Sequence, residues 1–148
     1  MRTWTTGSTR TSLPVADRRP FGLLDTSVVV DLGAIAADLL PEQVAVCTVT
    51  LAELAAGPAA ASDSAERAQR QDRLQRVEAA FDPLPFDIEA ARAYGRVYAA
   101  VPAHGRTARR RFADLLIASV ALANNLPVVT RNSEVFAGLG DLVEVIEV

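Results

Sequence analysis

The chain has 148 residues, half of them hydrophobic, and a formal net charge of −3 at pH 7. This length and composition predict one compact domain, and no apolar run reaches the roughly 20 residues that a membrane span needs. The acidic balance argues against broad nucleic-acid binding through a basic surface. All fifteen basic residues are Arg, which excludes a Lys-containing phosphate-binding loop and Schiff-base chemistry.

The first twenty residues differ in composition from the rest of the chain. Residues 1–20 are rich in Thr, Ser and Arg and lack the pattern of a signal peptide, so we expect a flexible tail followed by a folded domain at 21–148. The single Cys, Cys47, excludes an internal disulfide and indicates a buried thiol in a reducing, cytoplasmic setting. The single His, His104, lies in a loop-like segment and is expected to be an ordinary surface residue.

Strand-like and helix-like segments alternate along the domain. The predicted elements are a strand at 21–24 followed by a helix after Asp25, a strand at 44–49, helices at 51–56 and 62–81, a helix capped by Asp87, a helix at 107–125, and strands at 126–130 and 142–148. This alternation predicts an α/β fold in which helices cover both faces of a mainly parallel sheet. In such folds, ligands bind beyond the carboxyl ends of the strands.

Three carboxylates stand where predicted elements end or begin. Asp25 follows the first strand, Glu53 opens the helix after the second, and Asp114 opens the apolar part of the helix at 107–125. Acids in apolar segments are costly unless they are paired or hold a metal. Carboxylate oxygens suit a hard divalent cation such as Mg²⁺ or Mn²⁺. Because parallel strands end at one edge, Asp25 is expected to converge there with the polar turn at 130–132.

Several of these residues also have a purely structural interpretation. Glu53 can form a capping box with Thr50, and Asp25 can cap the helix that follows it. Thr130 and Asn132 are typical of a turn at the end of a strand. Only the combination of these residues favours a metal site over the separate structural roles.

A cluster of basic residues precedes the third acid. It comprises Arg106, Arg109, Arg110 and Arg111. These side chains can form a solvated helix start, and Arg110 or Arg111 can pair with Asp114 one turn later. The cluster also suits phosphate contacts, because the guanidinium fork matches phosphate oxygens.

In their order and spacing, four short segments resemble the PIN-domain family, and more closely VapC-type toxin ribonucleases. The segments are Leu-Leu-Asp-Thr-Ser at 23–27, Thr-Val-Thr-Leu-Ala-Glu-Leu at 48–54, Asp-Leu-Leu-Ile-Ala at 114–118 and Val-Val-Thr-Arg-Asn at 128–132. The resemblance implies a PIN-like three-layer α/β/α sandwich at 21–148. It also implies that Asp25, Glu53 and Asp114 are the acidic residues of the site.

The same resemblance implies roles for other residues around the acids. Asn132 falls at the fourth site position, where many relatives carry Asp, and Val135 occupies a second place where others carry an acid. A further departure is Ala113, since many relatives have Asn before the third acid. Thr130 would supply the hydroxyl that supports the first acid, Asp25. Apart from the resemblance, we predict Thr26 and Ser27 as further supporting hydroxyls, and Arg110, Arg111 and Arg131 as contacts for RNA phosphates.

The resemblance implies an endoribonuclease that depends on Mg²⁺ or Mn²⁺ and cleaves single-stranded or loop regions of structured RNA. Such a protein would be the toxin of a toxin–antitoxin pair, inhibit translation, bind a cognate antitoxin and form a homodimer. The departures at Asn132 and Val135 leave an alternative, a catalytically weakened PIN domain that acts as an RNA-binding or assembly module. A phosphatase of small phosphoesters is a third candidate, opposed by the absence of Lys and by Ser27 in place of a second Asp.

Overall fold

The centre of the molecule is a five-stranded sheet. The computed structural model describes residues 4–5, 18–102 and 109–148, with residues 4, 5, 109 and 110 described by their backbone alone. The strands lie in the order β1-β3-β2-β4-β5, in which β1 is antiparallel to β3 and the other neighbours are parallel. Their bounds are β1 Trp4–Thr5, β2 Phe21–Leu24, β3 Gln43–Ala45, β4 Val128–Thr130 and β5 Val145–Glu147. The predicted mainly parallel sheet is confirmed.

Five α-helices connect the strands in the described part of the chain. They are α1 Thr26–Val30, α2 Thr48–Ala56, α3 Ser64–Ala80, α4 Ile88–Ala100 and α5 Arg109–Ala123. The carboxylates of Asp25, Asp63 and Asp87 accept a backbone N–H in the first turn of α1, α3 and α4, so each begins its helix as an N-cap. Across the residues that the structure describes, no helix is long and apolar enough to cross a membrane.

Helices cover both faces of the sheet, and alternate strand residues supply a core to each face. Leu23 and Val128 pack with the buried residues of α4 and α5, whereas their neighbours Leu24 and Val129 pack with those of α1 and α3. Because successive side chains of a strand point to opposite faces, a strand buried on both sides needs apolar residues throughout. The predicted three-layer arrangement is confirmed.

Strand β3 is shorter than the strand that the sequence predicts at 44–49. Strand β3 ends at Ala45 and helix α2 begins at Thr48. Between them, Cys47 forms an isolated parallel bridge with Leu84, and the backbone N–H of Thr48 donates to the Leu84 carbonyl at 2.9 Å. These contacts lead the chain out of the sheet, so tertiary structure overrides the β preference of the β-branched residues that follow.

The predicted flexible tail at 1–20 falls partly outside the described residues. Of this segment, the structure describes β1, which pairs with β3, and residues 18–20. The Arg18 guanidinium donates to the carbonyl oxygens of Ala37 and Leu40 at distances of 3.1–3.2 Å. Residues 6–17 lie outside the described part, as does His104 within 103–108.

Gly22 lies in β2 at a point where the surroundings leave no room for a side chain. A Cβ atom there would meet Pro41 Cγ at 2.7 Å and Val129 Cγ2 at 2.9 Å. We expect Gly22→Ala to lower the free energy of unfolding by about 1–3 kcal/mol, because overpacking displaces its neighbours. Urea denaturation measures this change.

The matched control is Gly95→Ala in α4, where nothing lies within 4 Å of an added Cβ. Ala is favoured over Gly in a helix by about 1 kcal/mol, so this variant should be as stable as the wild type or more so. A Gly22→Ala protein as stable as the wild type would contradict the close packing around β2.

Candidate active site

Asp25 lies at the carboxyl end of β2 and is 2% exposed. Its backbone N–H donates to the Val129 carbonyl at 3.0 Å, which ties it to β4. Its Oδ1 atom accepts from the backbone N–H of Val28 at 3.1 Å and from the Ser27 hydroxyl at 2.6 Å. The capping role is therefore confirmed, and it occupies Oδ1 alone. No hydrogen bond from the described residues reaches Oδ2, which leaves this oxygen for a further ligand.

Ser27 joins the start of α1 to the end of β4. Its Oγ atom donates to Asp25 and accepts from the backbone N–H of Arg131 at 3.2 Å. The family resemblance implied that Thr130 would support the first acid. Instead, the Thr130 hydroxyl accepts from the Asn132 N–H at 3.1 Å and lies 3.3 Å from the Asn132 carbonyl oxygen. The turn after β4 folds Thr130 onto its own loop, so Ser27 supplies the hydroxyl that holds Asp25.

Glu53 reaches the same edge of the sheet from helix α2. The Thr26 hydroxyl donates to Glu53 Oε1 at 2.5 Å and lies 3.1 Å from Thr50 Oγ1. Helix α2 has Cys47 at its N-cap with no side-chain capping bond. Thr50 and Glu53 therefore lie inside the helix, and the capping-box interpretation is wrong. The first residue of α1 holds the carboxylate instead.

Asp114 is the third acid at this edge. Burial raises the pKa of Asp114 from its ordinary value of 3.8 to about 6; the negative charges of Asp25 and Glu53 also raise it, and Arg111 lowers it. Such effects between side chains act over short distances, so the three acids lie near one another. Arg111 acts on Asp114 through its charge, without an ion pair among the described side chains, and the Arg110 side chain lies outside them.

Two other predicted site residues are engaged elsewhere. Asn132 Oδ1 accepts from the backbone N–H of Glu134 at 3.1 Å and caps a short 3₁₀ turn. The Arg131 guanidinium donates to the Val148 carbonyl at 3.1 Å and lies 3.5 Å from Asp31 Oδ2. A catalytic role for Asn132 at the fourth site position and a phosphate contact by Arg131 stay predictions. Each would require the side chain to leave these partners.

Thr50 lies next to the candidate site, and the sequence prediction missed its place there. Its side chain is 0% exposed, and its hydroxyl contacts Thr26, the residue that holds Glu53. Residues three apart on a helix lie on the same face, so the spacing from Thr50 to Glu53 was an available signal. It was assigned to a capping box because the predicted helix began too late.

The donor set of this site fits a hard divalent cation. In the described part of the chain, no group of three Asp, Glu, His or Cys side chains is already arranged to bind a metal ion. However, Asp25, Glu53 and Asp114 supply only oxygen, and their charges disfavour ionisation of Asp114. A cation would offset that repulsion. Glu53 is exposed, so its side chain is free to adjust to a bound ion.

A second surface lies away from the acids. It is a groove of about 540 Å³ between α1 and α3, and none of the three acids lines it. Its apolar lining includes Val29, Val30 and Phe81, and its polar lining includes Arg73 and Arg76. We call it the α1–α3 groove and treat it as separate from the candidate active site.

Known proteins share both the sequence pattern and the fold of this chain. The family model for the PIN domain matches residues 22–141. Ribonuclease VapC5 of Mycobacterium tuberculosis is 41% identical over 121 residues, which cover 80% of this chain and 87% of that protein. The crystal structure of VapBC-5, a toxin–antitoxin system of M. tuberculosis, matches with a TM-score of 0.69 and 38% identity, covering 87% of this chain and 99% of that chain. The crystal structure of FitAcB from Neisseria gonorrhoeae matches with a TM-score of 0.62 and 28% identity, covering 84% and 96% of the two chains.

The raised pKa of Asp114 predicts that this residue destabilises the metal-free protein to an extent that depends on pH. Between the ordinary pKa of 3.8 and the folded pKa of about 6, the unfolded chain ionises first, so stability falls as pH rises through this window. At pH 7 Asp114→Asn should therefore raise the Tm by about 2–4 °C, and at pH 4 it should change the Tm much less. Calorimetry in the presence of a chelator measures both values.

The control is Asp141→Asn, which replaces an exposed acid outside the site. It should leave the difference in Tm between the two pH values as it is in the wild type. If Asp114→Asn raises the Tm equally at both pH values, removal of the carboxylate charge is not the cause.

Proposed function

The chain belongs to the PIN-domain family, in its VapC-type branch, and on that premise we propose that it is a metal-dependent endoribonuclease. It is the toxin of a toxin–antitoxin pair, cleaves single-stranded or loop regions of structured RNA, and thereby inhibits translation. The observation that carries the proposal is the convergence of Asp25, Glu53 and Asp114, from three separate segments, at one edge of the sheet.

The three carboxylates are the proposed ligands of Mg²⁺ or Mn²⁺. Asp25 offers its Oδ2 atom, since Oδ1 is hydrogen-bonded, and Glu53 offers its Oε2 atom while Thr26 holds Oε1. Asp114 completes the set. When bound, the cation would acidify a water molecule and neutralise charge on the scissile phosphate. Without it, the three acids repel an anionic substrate, so access of RNA to this edge depends on the ion.

The basic residues at the start of α5 are the proposed contacts for RNA phosphates. Arg111 has the strongest support, because its charge lowers the pKa of Asp114 and it therefore lies beside the acids. Its guanidinium fork matches two phosphate oxygens. Arg110 precedes it on the same helix, and Arg131 would contribute only after leaving its present partners. These few Arg residues suit an acidic protein that recognises the local shape of RNA.

A cognate antitoxin is the proposed protein partner. The relatives support this role, since VapBC-5 is a toxin–antitoxin system. A cluster of carboxylates is a natural receptor for an Arg side chain from a partner. The α1–α3 groove offers such a partner an apolar surface with Arg73 and Arg76 beside it. We also propose a homodimer that acts in the cytoplasm, where the unpaired Cys47 thiol stays reduced.

A weakened PIN domain that binds RNA without cleaving it is the second candidate. The residues in its favour are Asn132, a neutral side chain at the fourth site position, and Val135 at a place where relatives carry an acid. The retained acids Asp25, Glu53 and Asp114 argue against it. Cleavage assays separate the two functions.

The first test is cleavage of total RNA by purified protein that has been freed of any partner. With Mg²⁺ or Mn²⁺ the wild type should release discrete fragments, and chelator or Asp25→Ala should abolish them because the cation site is lost. Asp141→Ala is the matched control and should cleave normally. No cleavage by the folded, partner-free wild type in either metal would favour the RNA-binding module, which gel-shift assays with the same RNA would then detect.

A second test concerns the third acid and uses the same assay. Asp114→Asn should fold and yet lose cleavage, since it removes a ligand charge without changing the shape of the side chain. Expression of this variant in a bacterial host should permit growth that the wild type arrests. Full activity in a folded Asp114→Asn protein would remove Asp114 from the site.

A further inference from the structure

Three hydrogen-bonding side chains link Glu53 to the buried core of the protein. The Thr26 hydroxyl lies 2.5 Å from Glu53 Oε1 and 3.1 Å from Thr50 Oγ1, and Cys47 Sγ lies 4.0 Å from Thr50 Oγ1. Cys47 and Thr50 are 0% exposed, whereas Glu53 is exposed. The series, which we call the hydroxyl relay, therefore runs from the dry core to the edge that carries the acids.

The number of protons available fixes the direction of each hydrogen bond. An ionised Glu53 only accepts, so the single hydroxyl proton of Thr26 is donated to it. The Thr26 oxygen must then accept from Thr50, and Thr50 has no proton left for another partner. The Cys47 thiol is the weak donor behind Thr50, and burial raises the pKa of Cys47, which keeps its proton in place. Every bond of the hydroxyl relay thus points toward Glu53.

Glu53 needs such support because its surroundings otherwise drive it away from the site. Its charge repels that of Asp114, and its long side chain gains rotamer freedom by turning into solvent. A hydrogen bond to an ionised acceptor is about twice as strong as a neutral one. Donation along a series of hydroxyls strengthens each bond further.

We propose that Thr26 and Thr50 are positioning residues that hold Glu53 ready to bind the divalent cation. Thr26 makes the direct bond, and Thr50 acts only through Thr26 by supplying the donor that directs the Thr26 proton outward. The inference rests on the proposed function of this site. Neither residue touches the substrate or the reacting atoms.

The test is a double-mutant cycle of Thr26→Val and Thr50→Val, which keep the shape of each side chain and remove its hydroxyl. Calorimetry measures the Kd for Mn²⁺ on RNA-free protein, and cleavage rates are measured beside it. Each single variant should weaken Mn²⁺ binding by about 10-fold. The double variant should be no weaker than Thr26→Val, because residues in one network are not additive. Thr50→Ser, which restores the hydroxyl, should bind within about twofold of the wild type.

Thr48→Val is the matched control on the same helix. The Thr48 hydroxyl accepts from the backbone N–H of Phe86 at 3.1 Å and takes no part in the hydroxyl relay. This variant should lower the Tm while leaving the Kd for Mn²⁺ unchanged. Melting curves of all variants show that each is folded under the conditions of the binding measurement.

The outcomes separate this inference from the proposed function. Unchanged Mn²⁺ affinity in folded Thr26→Val, or losses that add in the double variant, would overturn the positioning role even if the wild type cleaves RNA. Conversely, if the wild type binds Mn²⁺ in a manner that depends on Thr26 and Thr50 but cleaves no RNA, the positioning role stands and the ribonuclease proposal fails.

Discussion

The parallel pairing of β2 with β4 determines where the polar groups of the site can lie. Leu23 is opposite Val128 and Leu24 is opposite Val129. A shift of one residue would exchange the side chains that face the two cores, and both cores are tightly filled by this alternation. The register is therefore strongly specified. It places Asp25 beside the turn after β4, and the Ser27 hydroxyl then links the two ends.

At this edge the fold supports carboxylates with hydroxyl and backbone donors rather than with positive charges. Ser27 and the Val28 N–H hold Asp25, and Thr26 holds Glu53. A direct ion pair would neutralise the acids and occupy the oxygens that a cation needs. Neutral donors orient one oxygen of Asp25 and one of Glu53 and leave the charge of each carboxylate available. Burial, together with the charges of Asp25 and Glu53, raises the pKa of Asp114, and such local destabilisation is typical of functional sites.

The sequence predicted those parts of the site that depend on strand order and local capping. The apolar strand before Asp25 and the helix after it are local patterns, and convergence at the carboxyl edge follows from a parallel sheet. The start of α2 was misjudged, because the bridge from Cys47 to Leu84 joins segments that are distant in the chain. That error assigned Thr50 to a cap. The choice between Ser27 and Thr130 depends on the backbone of one turn, which residue types alone do not define.

On the proposed function, the neutral Asn132 suits a site that holds one cation rather than two. The negative charges of Asp25 and Glu53 and the positive charge of Arg111 all act on Asp114 at this edge. Three carboxylates and one guanidinium leave two negative charges, which a single divalent cation would neutralise. A fourth acid would add repulsion that only a second ion could offset. Asn132 instead accepts the Glu134 N–H and shapes the turn that presents the Arg131 N–H to Ser27. Its amide thereby helps to fix the geometry around Asp25 without adding a further negative charge to the three that are already there.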